Sequence, residues 1–164
     1  YCPLPASMLA EHLGVPILTI SDIVGEEALL PVLNGAGKEC WSAFTIPVND
    51  GSHKVLHNLT HSVARQESNI MHELSHILCG HEMKGVERRE DFPFALRTYH
   101  EEQEAEAECL GGILHLPKDA LFWAKGKSMS KSDIASHYNV SEAMANYRLH
   151  TSGVEMIYSR MKSR

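Results

Sequence analysis

The sequence predicts an α+β fold: a small mixed or antiparallel sheet, a central helix and a helical C-terminal tail. Three observations predict it. Runs rich in β-formers occur at 15–20, 41–48 and 53–58, and the last two flank Asn49-Asp50-Gly51, a strong hairpin signal. Two longer stretches, 67–79 and 99–114, space their apolar residues as one face of a helix. Beyond Pro117 the pattern shortens to helical segments joined by a turn at Asn139. Residues 1–117 are therefore expected to form one domain, and 118–164 a helical, helix-turn-helix-like region packed on it.

In chain order, 5–13 reads as a short helix with Met8, Leu9, His12 and Leu13 at helical spacing and Gly14 as its stop. Pro16 interrupts the run 15–20, which suits a first or edge strand better than a central one. Ser21 and Asp22 are candidate N-caps for a helix through Leu30, ended by Pro31, and 34–37 is a Gly-rich loop. Two strands, 41–48 and 53–58, return on each other through the hairpin, and 59–66 connects to the central helix. That helix is placed at 67–79, with Gly80 at its end. The charged segment 81–94, containing Pro93, is read as a surface loop. A second strong helix covers 99–114 and is closed by Pro117. In the tail, Ser132 to Tyr138, a turn at Asn139, and Ser141 as a cap outline a helix-turn-helix.

Composition bounds the function. The 164 residues can bury one real core, and 43% hydrophobic with 22% charged residues is the balance of a water-soluble globular chain. No apolar run approaches the ~18 residues of a membrane span, and the start does not read as a signal peptide. The chain opens on Tyr1 rather than methionine, which leaves upstream sequence open. Cys2, Cys40, Cys79 and Cys109 are scattered and form no C-x-x-C pair, so a reducing cytoplasm is expected rather than a disulfide framework. Cys79, one turn past His76, reads as a small buried hydrophobe. Net charge is −6, split as −10 over residues 1–117 and +4 over 118–164.

The chemistry concentrates in Ile70-Met71-His72-Glu73-Leu74-Ser75-His76-Ile77-Leu78. On a helix, His72 and His76 lie about 40° apart on one face, one turn above each other. Imidazoles so placed can bind one tetrahedral zinc, with Glu73 beside it to take a proton. Met71, Ile70, Leu74, Ile77 and Leu78 fall on the other side and can bury. Two histidines do not complete a catalytic site, so a third protein ligand is required. In the acidic run 100–109, Glu104 and Glu108 share a face with Gly111, whereas Glu106 points about 200° away from Glu104. Glu104 is the expected ligand, and Glu108 can support a ligating histidine. Read alone, such a run is a solvated helix face; beside His72 and His76 the ligand reading is preferred. His81 is placed on the far side of the first helix, and His53, His57 and His61 have no ligand spacing.

The stretch His57-Asn58-Leu59-Thr60-His61-Ser62-Val63-Ala64-Arg65-Gln66 leading into Met71-His72-Glu73-Leu74-Ser75-His76 resembles the ImmA/IrrE family of zinc metallopeptidases. Glu104-Ala105-Glu106-Ala107, running through Leu114 to Pro117, is similar to that family's Glu-x-x-Ala…Leu-Leu-x-Pro helix. The resemblance covers most of 5–150. It implies a compact zincin-like fold, a gluzincin-like zinc site of His72, His76 and Glu104, and Glu73 as the catalytic residue. It also implies cleavage of helix-turn-helix transcriptional repressors. Gly111 and Gly112 depart from the family, which usually has alanine and a helix-former there, and His115 replaces an apolar residue. These departures bear on the packing of the second helix rather than on the ligands.

The expected activity is therefore zinc-dependent hydrolysis of a peptide bond in a protein substrate, with manganese or iron as alternative metals. Tyr99 or His100, about one turn before Glu104, can supply an oxyanion donor. Two other readings compete: a zincin-fold module that grips a regulator without cutting it, and a DNA-binding regulator working through the tail. The intact Glu73 argues against the first. A balance of +4 and Glu142 at the start of the second tail helix argue against the second, so direct DNA binding is not expected.

Overall fold

In the computed structural model of the chain, which describes residues 1–23, 41–48, 50–82, 85–88 and 95–163, a three-stranded sheet forms around one buried strand. The order is β1 (Ile17–Leu18), β3 (His53–His57), β2 (Ala43–Pro47). β1 runs parallel to β3 at one edge, the position Pro16 suggested, and β2 pairs antiparallel with β3, Ala43 opposite His57 and Pro47 opposite His53. The hairpin closes where Gly51, at φ 84°, donates to the Val48 carbonyl and Val48 donates to the Ser52 carbonyl. Val55 and Leu56, fully buried, make β3 the sheet's anchor.

Against the sheet lies α3 (Val63–Cys79), and α1 (Ala6–Leu13) packs on α3; α2 (Ile20–Ile23) is a single turn between them in sequence. Gly14 ends α1 in the left-handed region, where a residue without Cβ sits at no steric cost. α1 is pinned to α3 at its other end, where the Ala6 N–H donates to the Glu67 carboxylate at 2.7 Å. Ala6, Ala10, Val15, Val55, Ile70, Met71 and Leu74 form the apolar core of this half. Each large side chain fully buried there contributes about 1.5–3 kcal/mol.

Three expectations are corrected here. α2 starts at Ile20, so neither Ser21 nor Asp22 is its cap; the Thr19 N–H and hydroxyl both donate to Asp22 at 2.7 Å. The remainder of that helix, the 34–37 loop and Asn49 lie outside the described residues. α3 begins at Val63, four residues before the expected start. Polar groups fix the entry: Asn58 Nδ2 donates to the Trp41 carbonyl, His61 Nε2 lies 3.0 Å from the same oxygen, and Gln66 Nε2 donates to the His61 carbonyl at 2.7 Å. The segment 81–94 is not all loop either, because β4 (Gly85–Arg88) pairs antiparallel with β5 (Ala95–Thr98).

α4 (Glu101–His115) starts two residues later than its spacing suggested and makes with α3 the most extensive helix pair among the described residues. Four more helices follow: α5 (Lys118–Gly126), α6 (Lys131–Tyr138), α7 (Glu142–Thr151) and α8 (Val154–Lys162). Asn139, left-handed at φ 52°, ends α6, and the Ser141 hydroxyl accepts from the Met144 N–H to start α7. Leu116, Leu121, Ile134, Tyr138, Leu149 and Val154 belong to a second apolar core. Arg148 ties it to α4: Nε and Nη2 both donate to the Leu116 carbonyl at 3.2 Å. Among the described residues, no helix is long and apolar enough to cross a membrane.

His115, 4% exposed, packs at the end of α4 with Nε2 donating to the Glu67 carbonyl at 3.3 Å. Burial holds its pKa below the ordinary value, and burial does the same to His57. The unfolded chain therefore takes up protons below about pH 6.5 that the folded chain refuses. Stability is intact above that point and lost as pH falls. His115→Gln should flatten the decline by up to about 1.4 kcal/mol per pH unit. Urea midpoints across pH 7 to 5 measure it; an unchanged slope removes His115 from the acid response.

Candidate metal centre and active site

The i, i+4 spacing on α3 sets the first edge of the site. His72 Nε2 and His76 Nε2 stand 3.1 Å apart, with ring planes at 79°. α4 supplies the third corner: Glu104 Oε2 is 3.1 Å from His72 Nε2 and 3.7 Å from His76 Nε2. Gly111, two turns beyond Glu104 on the same face, sits where the two helices meet. A Cβ at 111 would lie 3.3 Å from Ser75 Oγ and 3.6 Å from the His72 backbone. The glycines that depart from the family pattern therefore face neighbours that leave little room for a side chain.

Around a tetrahedral zinc with ligands at 2.0–2.1 Å, any two donors are separated by about 3.3 Å. The observed edges of 3.1, 3.1 and 3.7 Å bracket that value, so two imidazole nitrogens and a carboxylate oxygen fit one divalent cation. Protonation agrees. Burial, reinforced by the neighbouring His72 and His81, holds the His76 pKa down to about 4, so its ring is neutral at physiological pH with a lone pair to give.

Glu73 follows His72 on α3 and reaches β2, close enough to feel the charges of His72 and Glu104. Thr45 of β2 donates its hydroxyl to Glu73 Oε2 at 2.8 Å, and burial pushes the carboxyl above its usual range. Tyr99 stacks on the His76 ring, centroids 3.9 Å apart and planes within 16°, and lines an open cleft of about 440 Å³ with His72, Glu101, Glu104 and Glu108. His100 is the exposed N-cap residue of α4. Glu108 is exposed on the cleft wall, and no hydrogen bond from it to a histidine is formed among the described residues.

The support expected of Glu108 comes instead from His81, whose placement on the far side of α3 is overturned. That placement extended helical rotation through Gly80, where the helix has ended. Gly80 is left-handed at φ 66°, and the chain doubles back so that the His81 N–H donates to the His76 carbonyl at 3.0 Å. His81 Nδ1 then meets His76 Nδ1 at 2.8 Å, and Glu106 Oε2 lies 3.2 Å from His81 Nε2. One tautomer satisfies every contact: His76 Nδ1–H donates to His81, and His81 Nε2–H donates to Glu106. That leaves the His76 Nε2 lone pair facing Glu104 and His72. The sequence held the signal in Gly80, whose capping role implies the reversal. Cys79, read as a buried hydrophobe, is partly exposed beside this chain of contacts.

His81→Phe should weaken metal affinity about 10–100-fold, because the ring still packs but no longer accepts the His76 proton. Competition with a chromogenic chelator reads the change, and unaltered affinity would rule out a positioning role for His81.

A family model described as Peptidase_M78, IrrE N-terminal-like domain, matches residues 36–150. No curated protein and no solved structure matches the chain. The matched span contains the whole of α3 and α4 and most of the C-terminal core, well over half the sequence. The peptidase family implies a metal ion, typically zinc, and a His/His/Glu triangle lies within the matched span. On this match, the chain belongs to the ImmA/IrrE family of metallopeptidases.

Proposed function

We propose that the protein is a zinc-dependent endopeptidase of zincin-like fold that cuts a helix-turn-helix transcriptional repressor in the cytoplasm. The observation that carries the reading is the convergence of His72, His76 and Glu104 from two helices, with the Glu73 carboxylate adjacent. His72, His76 and Glu104 would hold the metal. Zinc bound there supplies a Lewis acid that activates water and polarises a peptide carbonyl. Manganese or iron would suit the same donors.

The chain's own residues divide the remaining work. Glu73 takes the proton of the attacking water and passes it to the leaving amine nitrogen. Thr45 fixes the carboxylate by holding Oε2. His81 and Glu106 hold the His76 tautomer, and Tyr99 packs flat against the same ring. Tyr99 also lines the cleft and is the better placed of the two oxyanion-donor candidates, since His100 sits exposed at the helix start. The two apolar cores, the second of which draws every residue but Leu116 from beyond Pro117, support a division into a metallopeptidase domain and a C-terminal helical region. In this reading the α6–α7 pair, helix-turn-helix-like in outline, meets the substrate protein rather than DNA.

The test is incubation of the zinc-loaded full chain with the purified repressor encoded beside it, read by fragment mass. Two fragments of complementary mass that fail to form after chelation are expected. A stable complex with uncut repressor after long incubation would replace this reading with that of a binding module.

A further inference from the structure

A second group of donors meets at the C-terminal end of α3. Cys79 is the helix's last residue, His81 lies just past the Gly80 cap, and Glu106 projects from the side of α4 turned away from Glu104. One donor atom from each lies within 4.8 Å of the other two. The His81 side chain is 5% exposed and that of Glu106 65%, so the cluster has a fixed inner corner and a mouth open to solvent. A thiolate, an imidazole and a carboxylate are a donor set that zinc accepts, with water free to take a fourth position.

We propose that Cys79, His81 and Glu106 form a second divalent-cation site of zinc type, and that filling it opposes cation binding at His72, His76 and Glu104. The opposition rests on the metallopeptidase reading above; the existence of the second site does not.

The opposition follows from the protons available. A cation held by His76 Nε2 leaves that ring's single proton on Nδ1, which donates to His81 Nδ1 at 2.8 Å. His81 then carries its own proton on Nε2, facing Glu106. A cation held by His81 Nε2 displaces that proton to Nδ1. Two N–H groups would then face each other across the same 2.8 Å. Filling both sites requires one ring to turn away or His81 to give up both protons, and each costs free energy. Coupling of this kind is reciprocal, so each cation weakens the other by the same factor, within a common span of about 5–150-fold. With the first site filled, zinc enters the second only at a concentration raised by that factor, so stoichiometric zinc occupies His72, His76 and Glu104 and leaves the three supporting contacts intact.

Cobalt(II) distinguishes the two sites, because thiolate ligation adds a near-ultraviolet charge-transfer band that imidazole and carboxylate ligation lack. In a titration of the metal-free full chain under argon, visible ligand-field bands should saturate first and the thiolate band should rise later. Cys79→Ser, at a partly exposed helix end, should abolish the thiolate band and leave the first phase unchanged. His72→Ala should remove the first phase and bring the thiolate band in at about 5–150-fold lower cobalt. Absence of a thiolate band, or its survival in Cys79→Ser, overturns the second site. A thiolate midpoint that stays put in His72→Ala, with the first phase gone, overturns the opposition. If the first-phase bands survive His72→Ala, the metallopeptidase reading fails and the opposition with it, while a band lost in Cys79→Ser still establishes the second site.

Discussion

Glu73→Gln is expected to slow repressor cleavage by about 10²–10⁴-fold while leaving the metal content per chain unchanged. The amide matches the carboxylate in shape, and its carbonyl oxygen can still accept the Thr45 hydroxyl, so the side chain stays in place. None of the three triangle donors is altered. What disappears is the ability to accept a proton from the attacking water. Rates of fragment appearance, set beside metal analysis of the same preparation, separate this from simple loss of the cation. Cleavage at the original rate would take Glu73 out of the mechanism.

The second large effect is at Glu104. Glu104→Ala removes the one carboxylate corner of the triangle and leaves two imidazoles 3.1 Å apart. Metal affinity should fall by more than the roughly 100-fold that an outer-layer change can cause, and cleavage should fall with it. The side chain is 48% exposed, so little packing is lost and the thermal midpoint of the metal-free chain should hardly move. That contrast between metal-free and metal-loaded stability is the diagnostic. Equal chelator competition by the variant and the parent would show that the third ligand lies elsewhere.

What could be read from the sequence was what local geometry determines. The helical register brings His72 and His76 to one face, and the same rule separates Glu104 from Glu106. Gly14, Gly80, Asn139 and Ser141 mark helix ends by their backbone and side-chain chemistry, and each occupies such an end. What could not be read depends on contacts far apart in the chain. The Thr45 bond to Glu73 needs the sheet docked on α3 in one register, and no periodicity encodes that docking. β4 went unseen because Gly85 to Arg88 is short, charged and without alternation, and its pairing is decided by β5. The start of α3 at Val63 depends on the turns held by Asn58, His61 and Gln66, whose partners lie outside the helix's own periodic stretch. His81 combines the two: the left-handed Gly80 that ends α3 also reverses the chain, and that reversal turns the next side chain back onto His76.

The adjacent glycines on α4 look outward in two directions, and only Gly111 serves the metal-side contact. Gly112 faces Arg148, whose Cδ would lie 2.9 Å from a Cβ at that position. Arg148 cannot simply move aside, since its guanidinium is bonded to the Leu116 carbonyl and to the Thr151 hydroxyl. Homologous chains should therefore show these two positions covarying: a methyl-bearing residue at 112 accompanied by something shorter than arginine at 148. The pair ties the packing of the tail to that of α4, so neither can change shape at this contact without the other.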